Sequence, residues 1–314
     1  MKWLSDATLE HLRQVADWPD LTGTKYEVVE KIGKGGMGSV YLANDKELDR
    51  PVALKVINSL PGDQEATASR IDEARIIARL EHPGIVPVHD AGMLPDGRFY
   101  YAMKYVRGLR LDDPSPLGVT RDQRLQLFQK VCQAVAFAHA QGVIHRDLKP
   151  QNIMIGAFGE VLVMDWGLAQ VSQGDLKGAA DGKAGWGTPG YMAPEQAGGL
   201  SDQRTDIYAL GGIMYFLLTA QRPSPIRPRR FDSSIPRALD AICLKALSEN
   251  RDARYASVAD LTDDLDRFLE KRPVAAYPEG PLRASLRLAS KYRVPIGLVL
   301  AYILMRVMLM IWEV

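Results

Sequence analysis

Four glycines lie within six positions near the start of the chain, in the run Ile32-Gly33-Lys34-Gly35-Gly36-Met37-Gly38-Ser39-Val40. Glycine lets the backbone approach a phosphate group closely and offer it N–H donors. Strand-like sequence lies on both sides of the run, which argues against a dinucleotide-binding fold, because that fold needs a helix after its glycines. A glycine-rich hairpin that binds nothing is the alternative that this run alone leaves open.

A lysine stands in the middle of the next apolar strand, Val52-Ala53-Leu54-Lys55-Val56. Lysine is rarely buried without an anionic partner. Two kinds of partner are available to Lys55, the α- and β-phosphates of a nucleotide and an acid on the following helix. We expect that acid to be Glu73, with Asp72 as the competing choice, and a solvated surface lysine is the alternative.

The most specific segment is the run His145-Arg146-Asp147-Leu148-Lys149-Pro150-Gln151-Asn152. It resembles the catalytic loop of the eukaryotic-like protein kinase superfamily, and the chain is most similar to bacterial Ser/Thr protein kinases. The resemblance implies that Asp147 orients the substrate hydroxyl and accepts its proton, and that Lys149 offsets charge on the transferred phosphate. It also implies that Asn152 gives its amide oxygen to a metal ion.

The run Met164-Asp165-Trp166-Gly167 resembles the Asp-Phe-Gly motif of the same superfamily, with Trp in the place of Phe. Asp165 keeps the implied magnesium role, because a hard cation prefers carboxylate oxygen. Trp166 is a departure from the family pattern, and we expect its ring to pack near His145. The carboxylate is intact, so the departure does not predict loss of catalysis.

Three further residues match scaffold positions of the family. The segment from Gly187 to Glu195 resembles the end of an activation segment, and Glu195 is expected to pair with Arg254. Asp206 is expected to hold the backbone of the catalytic loop. The resemblance extends from about Tyr26 to Leu269.

The nucleotide site follows from the resemblance by position. Val40 and Ala53 are expected above the adenine ring and Met154 below it, with Met103 at the back of the pocket. The backbone of Lys104 and Val106 is expected to bond the adenine edge. The full predicted nucleotide set is Ile32, Gly33, Lys34, Gly35, Gly36, Met37, Gly38, Val40, Ala53, Lys55, Met103, Lys104, Val106 and Met154.

Hydrophobic periodicity predicts strands in the first third of the chain and mainly helices afterwards. Strands are expected within 26–57 and over 85–90, 98–106, 153–155 and 161–164. Helices are expected over 4–18, 64–80, 120–142, 205–219, 236–248 and 257–270. The pattern predicts two lobes with a cleft between them. The resemblance to protein kinases implies an α+β, bilobal protein-kinase fold, with an antiparallel sheet and one regulatory helix in the N-lobe and a mostly helical C-lobe, and a C-terminal transmembrane helix is expected in addition. The predicted domains are an N-terminal amphipathic helix in 1–22, a kinase domain in 23–275 (N-lobe 23–106, C-lobe 107–275), a basic linker in 276–293 and a transmembrane helix in 294–312.

The kinase pattern is incomplete in two places. Between Leu218 and Pro236 four arginines stand among prolines, and proline disfavours a regular helix there. The substrate-docking helix of related kinases is therefore expected to be reduced; acidic substrates and a solvated basic loop are both compatible with this region. The loop from Gln170 to Trp186 contains Ser172 as its one hydroxyl residue, so activation is expected not to need a loop phosphate.

The segment from Val294 to Trp312 contains one charge, Arg306, and at ~1.5 Å per residue it matches a bilayer core. Four basic residues precede it, which predicts a single-pass cell-membrane protein with a cytoplasmic kinase domain. A helix docked on a partner is the alternative. A homodimer is an assembly that the sequence leaves open.

Composition is that of a globular chain of 314 residues, with 39 basic and 38 acidic residues. Such a balance argues against nucleic acid as a partner. The two cysteines, Cys132 and Cys243, are expected to be small buried hydrophobic residues. The predicted function is a membrane-anchored serine/threonine protein kinase that uses ATP and Mg²⁺ on protein substrates. A pseudokinase that binds nucleotide as a scaffold is the alternative.

Overall fold

The computed structural model describes residues 18–35, 38–57, 74–114, 118–166, 170–171, 188–278 and 293–312. Its first part is a five-stranded antiparallel sheet in the order β1-β2-β3-β5-β4. The strands are Tyr26–Gly35 (β1), Gly38–Asp45 (β2), Arg50–Ile57 (β3), Val88–Met93 (β4) and Phe99–Lys104 (β5).

Alternation along β3 decides which side chains face the second part of the molecule. Val52, Leu54 and Val56 pack into an apolar cluster on one face of the sheet. Ala53 and Ile57 pack into a different cluster on the other face. Successive residues of a strand point to opposite faces, so Lys55 shares the face of Ala53 and Ile57.

Helices form most of the second part. They are Arg121–Ala140 (α1), Gln203–Thr219 (α2), Pro228–Phe231 (α3), Arg237–Ala246 (α4) and Val258–Leu269 (α5). Thr120 caps α1 reciprocally with Gln123, and such a capping box satisfies backbone donors at the helix start. Helix α2 is buried along nearly its whole length, as its apolar sequence predicts.

Short strands connect the two parts. Gly108–Arg110 (β6), Ile153–Gly156 (β8) and Val161–Val163 (β9) form a three-stranded sheet, and Val143–Ile144 (β7) pairs with Gln170–Val171 (β10). Val163 on β9 donates its N–H to Gly84 (2.8 Å) and accepts from the N–H of Val86 (3.3 Å). These bonds join the two lobes beside a cleft, and the predicted bilobal architecture is confirmed.

Two predicted elements of the N-lobe differ from the structure or lie partly outside it. The strand predicted from residue 85 begins at Val88 instead, because Pro87 has no N–H to give to a ladder. Of the helix predicted over 64–80, residues 74–78 are helical, and the part up to residue 73 lies outside the described residues. The N-terminal helix predicted over 4–18 lies outside them up to residue 17.

The last described helix is Arg293–Trp312 (α6). Within the part of the chain that the structure describes, no helix has the length and apolar character needed to cross a membrane. This finding corrects the transmembrane helix predicted over 294–312. A guanidinium such as that of Arg306 is among the most unfavourable groups in a bilayer core.

The region between α2 and α4 contains only the four-residue helix α3 among its described residues. Arg227 binds the buried carboxylate of Asp240 through Nε (3.2 Å) and Nη2 (2.6 Å). Arg229 donates its backbone N–H to the same carboxylate (3.2 Å). The expected reduction of the docking helix is confirmed, and two of its arginines hold the replacement loop to α4.

Candidate active site

A cavity of about 660 Å³ lies in the cleft between the lobes. The β1–β2 hairpin and β3 lie on its N-lobe side, and the 145–152 loop and β8 lie on its C-lobe side. Residues from both lobes line it together: Ile32, Gly33, Lys34, Gly35, Gly38, Val40, Ala53, Lys55, Tyr101, Met103, Lys104, Tyr105, Val106, Gly108, Arg110, Asp147, Lys149, Gln151, Asn152, Met154, Met164, Asp165 and Thr188.

The glycine-rich hairpin forms one edge of this cavity. Gly35 pairs with Gly38 where β1 turns into β2. A Cβ atom at Gly38 would lie 2.2 Å from the carbonyl oxygen of Val56 on β3. Glycine is therefore required at position 38 by the close approach of two strands.

The apolar end of the cavity is built by cross-strand pairs. Ala53 on β3 lies directly opposite Met103 on β5, and both belong to one buried cluster. Val40 and Met154 pack against that cluster from the two lobes. Apolar surfaces on two sides of a narrow cleft suit a flat aromatic ring.

Lys55 forms an ion pair with Asp165 across the cleft. The lysine side chain is 7% exposed and the aspartate side chain is 44% exposed. Burial by itself raises the pKa of Asp165, but the charge of Lys55 and its hydrogen bond outweigh burial and lower the pKa below its ordinary value. Asp165 is therefore an anion that still faces the cavity.

Asp147 lies at the centre of a small polar group in the catalytic loop. Its Oδ2 accepts from Nζ of Lys149 (2.7 Å) and from Nδ2 of Asn152 (3.2 Å). Nδ2 of Asn152 also donates to the carbonyl of Asp147 (2.8 Å). These bonds turn the amide nitrogen of Asn152 toward Asp147 and leave its amide oxygen directed elsewhere.

Asp206, at the start of α2, anchors the backbone of this loop. Its Oδ2 accepts from the N–H of His145 (2.8 Å) and contacts Nε2 of His139 (2.8 Å), and its Oδ1 accepts from the N–H of Arg146 (2.8 Å). Burial alone raises the pKa of Asp206, but the His139 contact and the loop donors lower it. Arg146 has φ +71°, which is unfavourable for a residue with a side chain. The carboxylate fixes this strained backbone.

Trp166 fills the space behind the cleft. It is 1% exposed, and its ring lies 4.5 Å from the ring of His145 between centroids. Its Nε1 donates to the carbonyl of Val163 (3.2 Å). The expected packing of Trp166 near His145 is confirmed, and the indole adds a hydrogen bond that Phe could not make.

Glu195 and Arg254 form a two-point ion pair, with Nη1 to Oε1 at 2.6 Å and Nη2 to Oε2 at 2.8 Å. Burial raises the pKa of Glu195, but the hydrogen bonds and charge of Arg254 lower it overall. Arg254 also donates to the carbonyls of Ser248 (2.7 Å) and Arg204 (3.0 Å). The pair therefore joins the end of the activation segment to the C-lobe.

The donor set in the cleft fits a magnesium ion bound together with phosphates. Among the described residues no three His, Cys, Asp or Glu side chains form a self-sufficient metal site. Mg²⁺ commonly takes one or two protein oxygens and completes its shell with water and phosphate. The amide oxygen of Asn152 and the second carboxylate oxygen of Asp165 are oxygens of the kind that such an ion takes.

The structure brings nearly all predicted site residues to one cavity. The exceptions are Gly36, Met37 and Glu73, which lie outside the described residues. The sequence reasoning missed Tyr101, Arg110, Gln151 and Met164. Tyr101 lies opposite Lys55 in the sheet, and the alternation that points Met103 into the cavity points Tyr101 there as well.

The known proteins to which this chain is similar are protein kinases. Residues 26–274 match the family model described as "Protein kinase domain", so the chain belongs to the protein kinase family. It is 36% identical over 298 residues to the serine/threonine-protein kinase PknD of Chlamydia felis, covering 79% of this chain and 31% of that protein. It is 37% identical over 288 residues to the serine/threonine-protein kinase PknB of Mycobacterium tuberculosis, covering 84% of this chain and 45% of that protein. The chain thus spans less than half of the length of these relatives.

A solved structure resembles the fold. The kinase domain of Mycobacterium tuberculosis PknI superposes with a TM-score of 0.63 at 27% sequence identity, covering 80% of this chain and 98% of that one. The matched part of the chain is thus similar to a whole bacterial kinase domain.

Proposed function

We propose that this chain transfers the γ-phosphate of ATP to serine or threonine hydroxyl groups of proteins. The single observation that carries the proposal is the group around Asp147. Its carboxylate lines the same cavity as Lys55 and Asp165, and Lys149 and Asn152 contact it directly. The catalytic unit is assigned to residues 23–275, with an N-lobe of 23–106 and a C-lobe of 107–275.

The side chains divide the reaction between them. The acceptor oxygen bonds to the γ-phosphorus while the bond from that phosphorus to the bridging oxygen of ADP breaks. Asp147 orients the hydroxyl, takes its proton and passes it to solvent. Lys149 offsets the charge on the transferred group, and Lys55 holds the α- and β-phosphates. Because Lys55 now contacts Asp165, nucleotide binding requires the lysine to exchange that partner for phosphate oxygens, or to share it.

Asn152 and Asp165 are the residues that would hold magnesium, which neutralises phosphate charge when bound. The proposal places the adenine between Val40 and Ala53 on one side and Met154 on the other. Met103 lies at the back of that space. The backbone of Lys104 and Val106 is proposed to bond the adenine edge.

Lys149 and Thr188 support serine or threonine as the acceptor rather than tyrosine. Lys149 follows the proposed base by two residues, a pattern that resembles Ser/Thr kinases and differs from tyrosine kinases. Thr188 lines the cavity together with Asp147.

The homodimer that the sequence left open stays a prediction.

The test is phosphate transfer from radiolabelled ATP to a generic protein substrate by the full chain with magnesium, beside the variant Asp147→Asn. Loss of the proton acceptor is expected to lower kcat by about 10²- to 10⁴-fold. Nucleotide affinity, measured by displacement of a fluorescent ATP analogue, is expected to change little, because the proposed base does not hold the nucleotide.

The matched control is Asp122→Asn, an exposed aspartate in the first turn of α1 that lies outside the cavity lining and is expected to keep its activity. If the wild-type chain binds nucleotide and transfers no phosphate, the activity proposal is wrong. A nucleotide-binding scaffold would then describe the cleft better.

A further inference from the structure

Two arginines from separate segments lie at the outer edge of the cleft. Arg110, at the end of β6, lines the cavity that contains Asp147. Arg222 lies in the loop after α2 and is exposed. Arg110 therefore lies where a polypeptide substrate of the proposed reaction would pass.

Close packing attaches the Arg222 loop to the cavity. Thr188 lines the cavity and accepts from the N–H of Tyr191 through its carbonyl (3.0 Å). Within this turn Gly190 has φ +92°, and a Cβ there would lie 3.1 Å from the carbonyl oxygen of Pro223. The neighbour of Pro223, Arg222, is thus fixed beside the turn that borders the proposed acceptor site.

Two acids lie beside Arg110 at this edge, and one of them, Asp113, accepts from its backbone N–H (2.7 Å). Asp112 accepts from Nε2 of Gln151 (2.7 Å) and lies 3.4 Å from Nε of Arg110. Arg110 nevertheless remains 51% exposed at its side chain. Burial raises the pKa of Tyr191 to about 12, Arg222 opposes this rise and Asp112 adds to it. The charges of Arg222 and Asp112 therefore act on one phenol.

Two of the other three arginines of the loop, Arg227 and Arg229, have structural partners. Arg227 binds Asp240, and Arg229 donates to the carbonyl of Ile235. Their charges are largely committed to holding the loop on α4. Arg110 faces the proposed substrate path, and Arg222 lies beside the turn that borders it.

We propose that this chain selects serine and threonine acceptors flanked by acidic residues, and that Arg110 and Arg222 bind the flanking carboxylates. The inference rests on the proposed phosphotransfer function and names its substrate class. A single exposed ion pair contributes little binding energy. The charges of the two arginines therefore act mainly on specificity, by favouring acidic peptides over basic ones.

The test uses three peptides of equal length with one central serine, flanked on both sides by Glu, by Gln or by Lys. For the full chain with ATP and magnesium, kcat/KM is expected to be about three- to tenfold higher for the Glu peptide than for the Gln peptide. The Lys peptide is expected to be the poorest substrate. High salt is expected to reduce the differences.

Three variants assign the effect to residues. Arg110→Gln and Arg222→Gln are each expected to move the Glu-to-Gln ratio toward one, and Arg222→Glu is expected to raise the relative rate on the Lys peptide. The matched control is Arg272→Gln, an exposed arginine that pairs with Glu270 and lies outside the cavity lining. It is expected to keep the wild-type ratio. Thermal melting checks that every variant is folded.

Equal kcat/KM for the three peptides, or a Glu preference that survives in both Gln variants, would overturn the assignment. Absence of transfer to any peptide and to a generic protein substrate would instead overturn the proposed phosphotransfer function, and the inference would fall with it. The two failures are therefore distinguishable.

Discussion

The carboxylates of the cleft and those of the scaffold beneath it are bound in opposite ways. In the cleft, Asp165 pairs with Lys55 and has a side chain that is 44% exposed. In the scaffold, Asp206 is fully buried and contacts two backbone N–H groups and a histidine. Both have a lowered pKa, yet only the first is open to exchange of partners.

The difference shows how one lobe can hold two kinds of anion. A carboxylate surrounded by short backbone contacts fixes geometry, because any replacement leaves buried donors unsatisfied. A carboxylate bound to a lysine across a cleft can give up that partner to a cation or phosphate. Four substitutions test the scaffold side of this contrast, in descending order of expected effect.

Asp206→Asn should have the largest effect. The amide nitrogen of Asn would face an N–H donor of His145 or Arg146, so the loop loses at least one charge-assisted bond and its strained backbone relaxes. We expect a loss of about 3–5 kcal/mol in the free energy of unfolding and at least about a hundredfold lower kcat. Urea unfolding and single-turnover transfer measure the two quantities.

Its control is Asp264→Asn. That buried carboxylate also accepts two backbone N–H groups, from Ala275 (2.7 Å) and Ala276 (2.9 Å), but on α5. A similar stability loss with kcat retained in the folded protein is expected. If both variants lose kcat equally, the special role of Asp206 in the catalytic loop is contradicted.

Glu195→Gln comes next, because it leaves the buried guanidinium of Arg254 with a neutral partner. The loss is expected to be about 3 kcal/mol, with kcat less affected than in Asp206→Asn. Thermal melting and transfer assays give the comparison. A variant as stable as the wild type would show that the buried pair contributes little to folding.

The same variant changes the response to acid. The folded pKa of Glu195 is lower than the ordinary value of 4.5. The stability from this group is therefore present in full above that value and is lost as pH falls through the lower folded pKa. Between about pH 5 and pH 3 the wild type should lose stability more steeply than Glu195→Gln, as measured by urea unfolding at each pH. Parallel curves would contradict this.

Trp166→Phe should have the smallest effect. Phe removes the N–H that binds the carbonyl of Val163 and leaves a small void beside His145, which together cost about 1–3 kcal/mol. No residue that contacts Asp147 changes, so kcat should stay within about threefold of the wild type. Calorimetry and transfer assays test both. A large loss of kcat would mean that the indole positions the catalytic loop.

Much of the fold was predictable because its elements carry strong local patterns. The apolar run of α2 and the alternation in β3 are local patterns, so the sequence of each segment shows by itself which of its faces are apolar. The start of β4 was misplaced because a single proline outweighs a short apolar pattern. The transmembrane helix predicted over 294–312 was corrected, because no helix among the described residues has the length and apolar character to cross a membrane.

Residue type and spacing within each short motif, through their resemblance to a known family, determined which groups to expect in the site: a base, two cation ligands and a lysine. Only the tertiary structure decided which groups touch. Lys55 meets Asp165, 110 positions away, a partner that the sequence reasoning had not named, while the expected helix acid Glu73 lies outside the described residues. Arg110 lines the cleft and the neighbour of Arg222, Pro223, packs beside a turn that borders it, although no motif joins these segments. Contacts between distant segments depend on how the lobes pack, and a linear pattern holds no information on that distance.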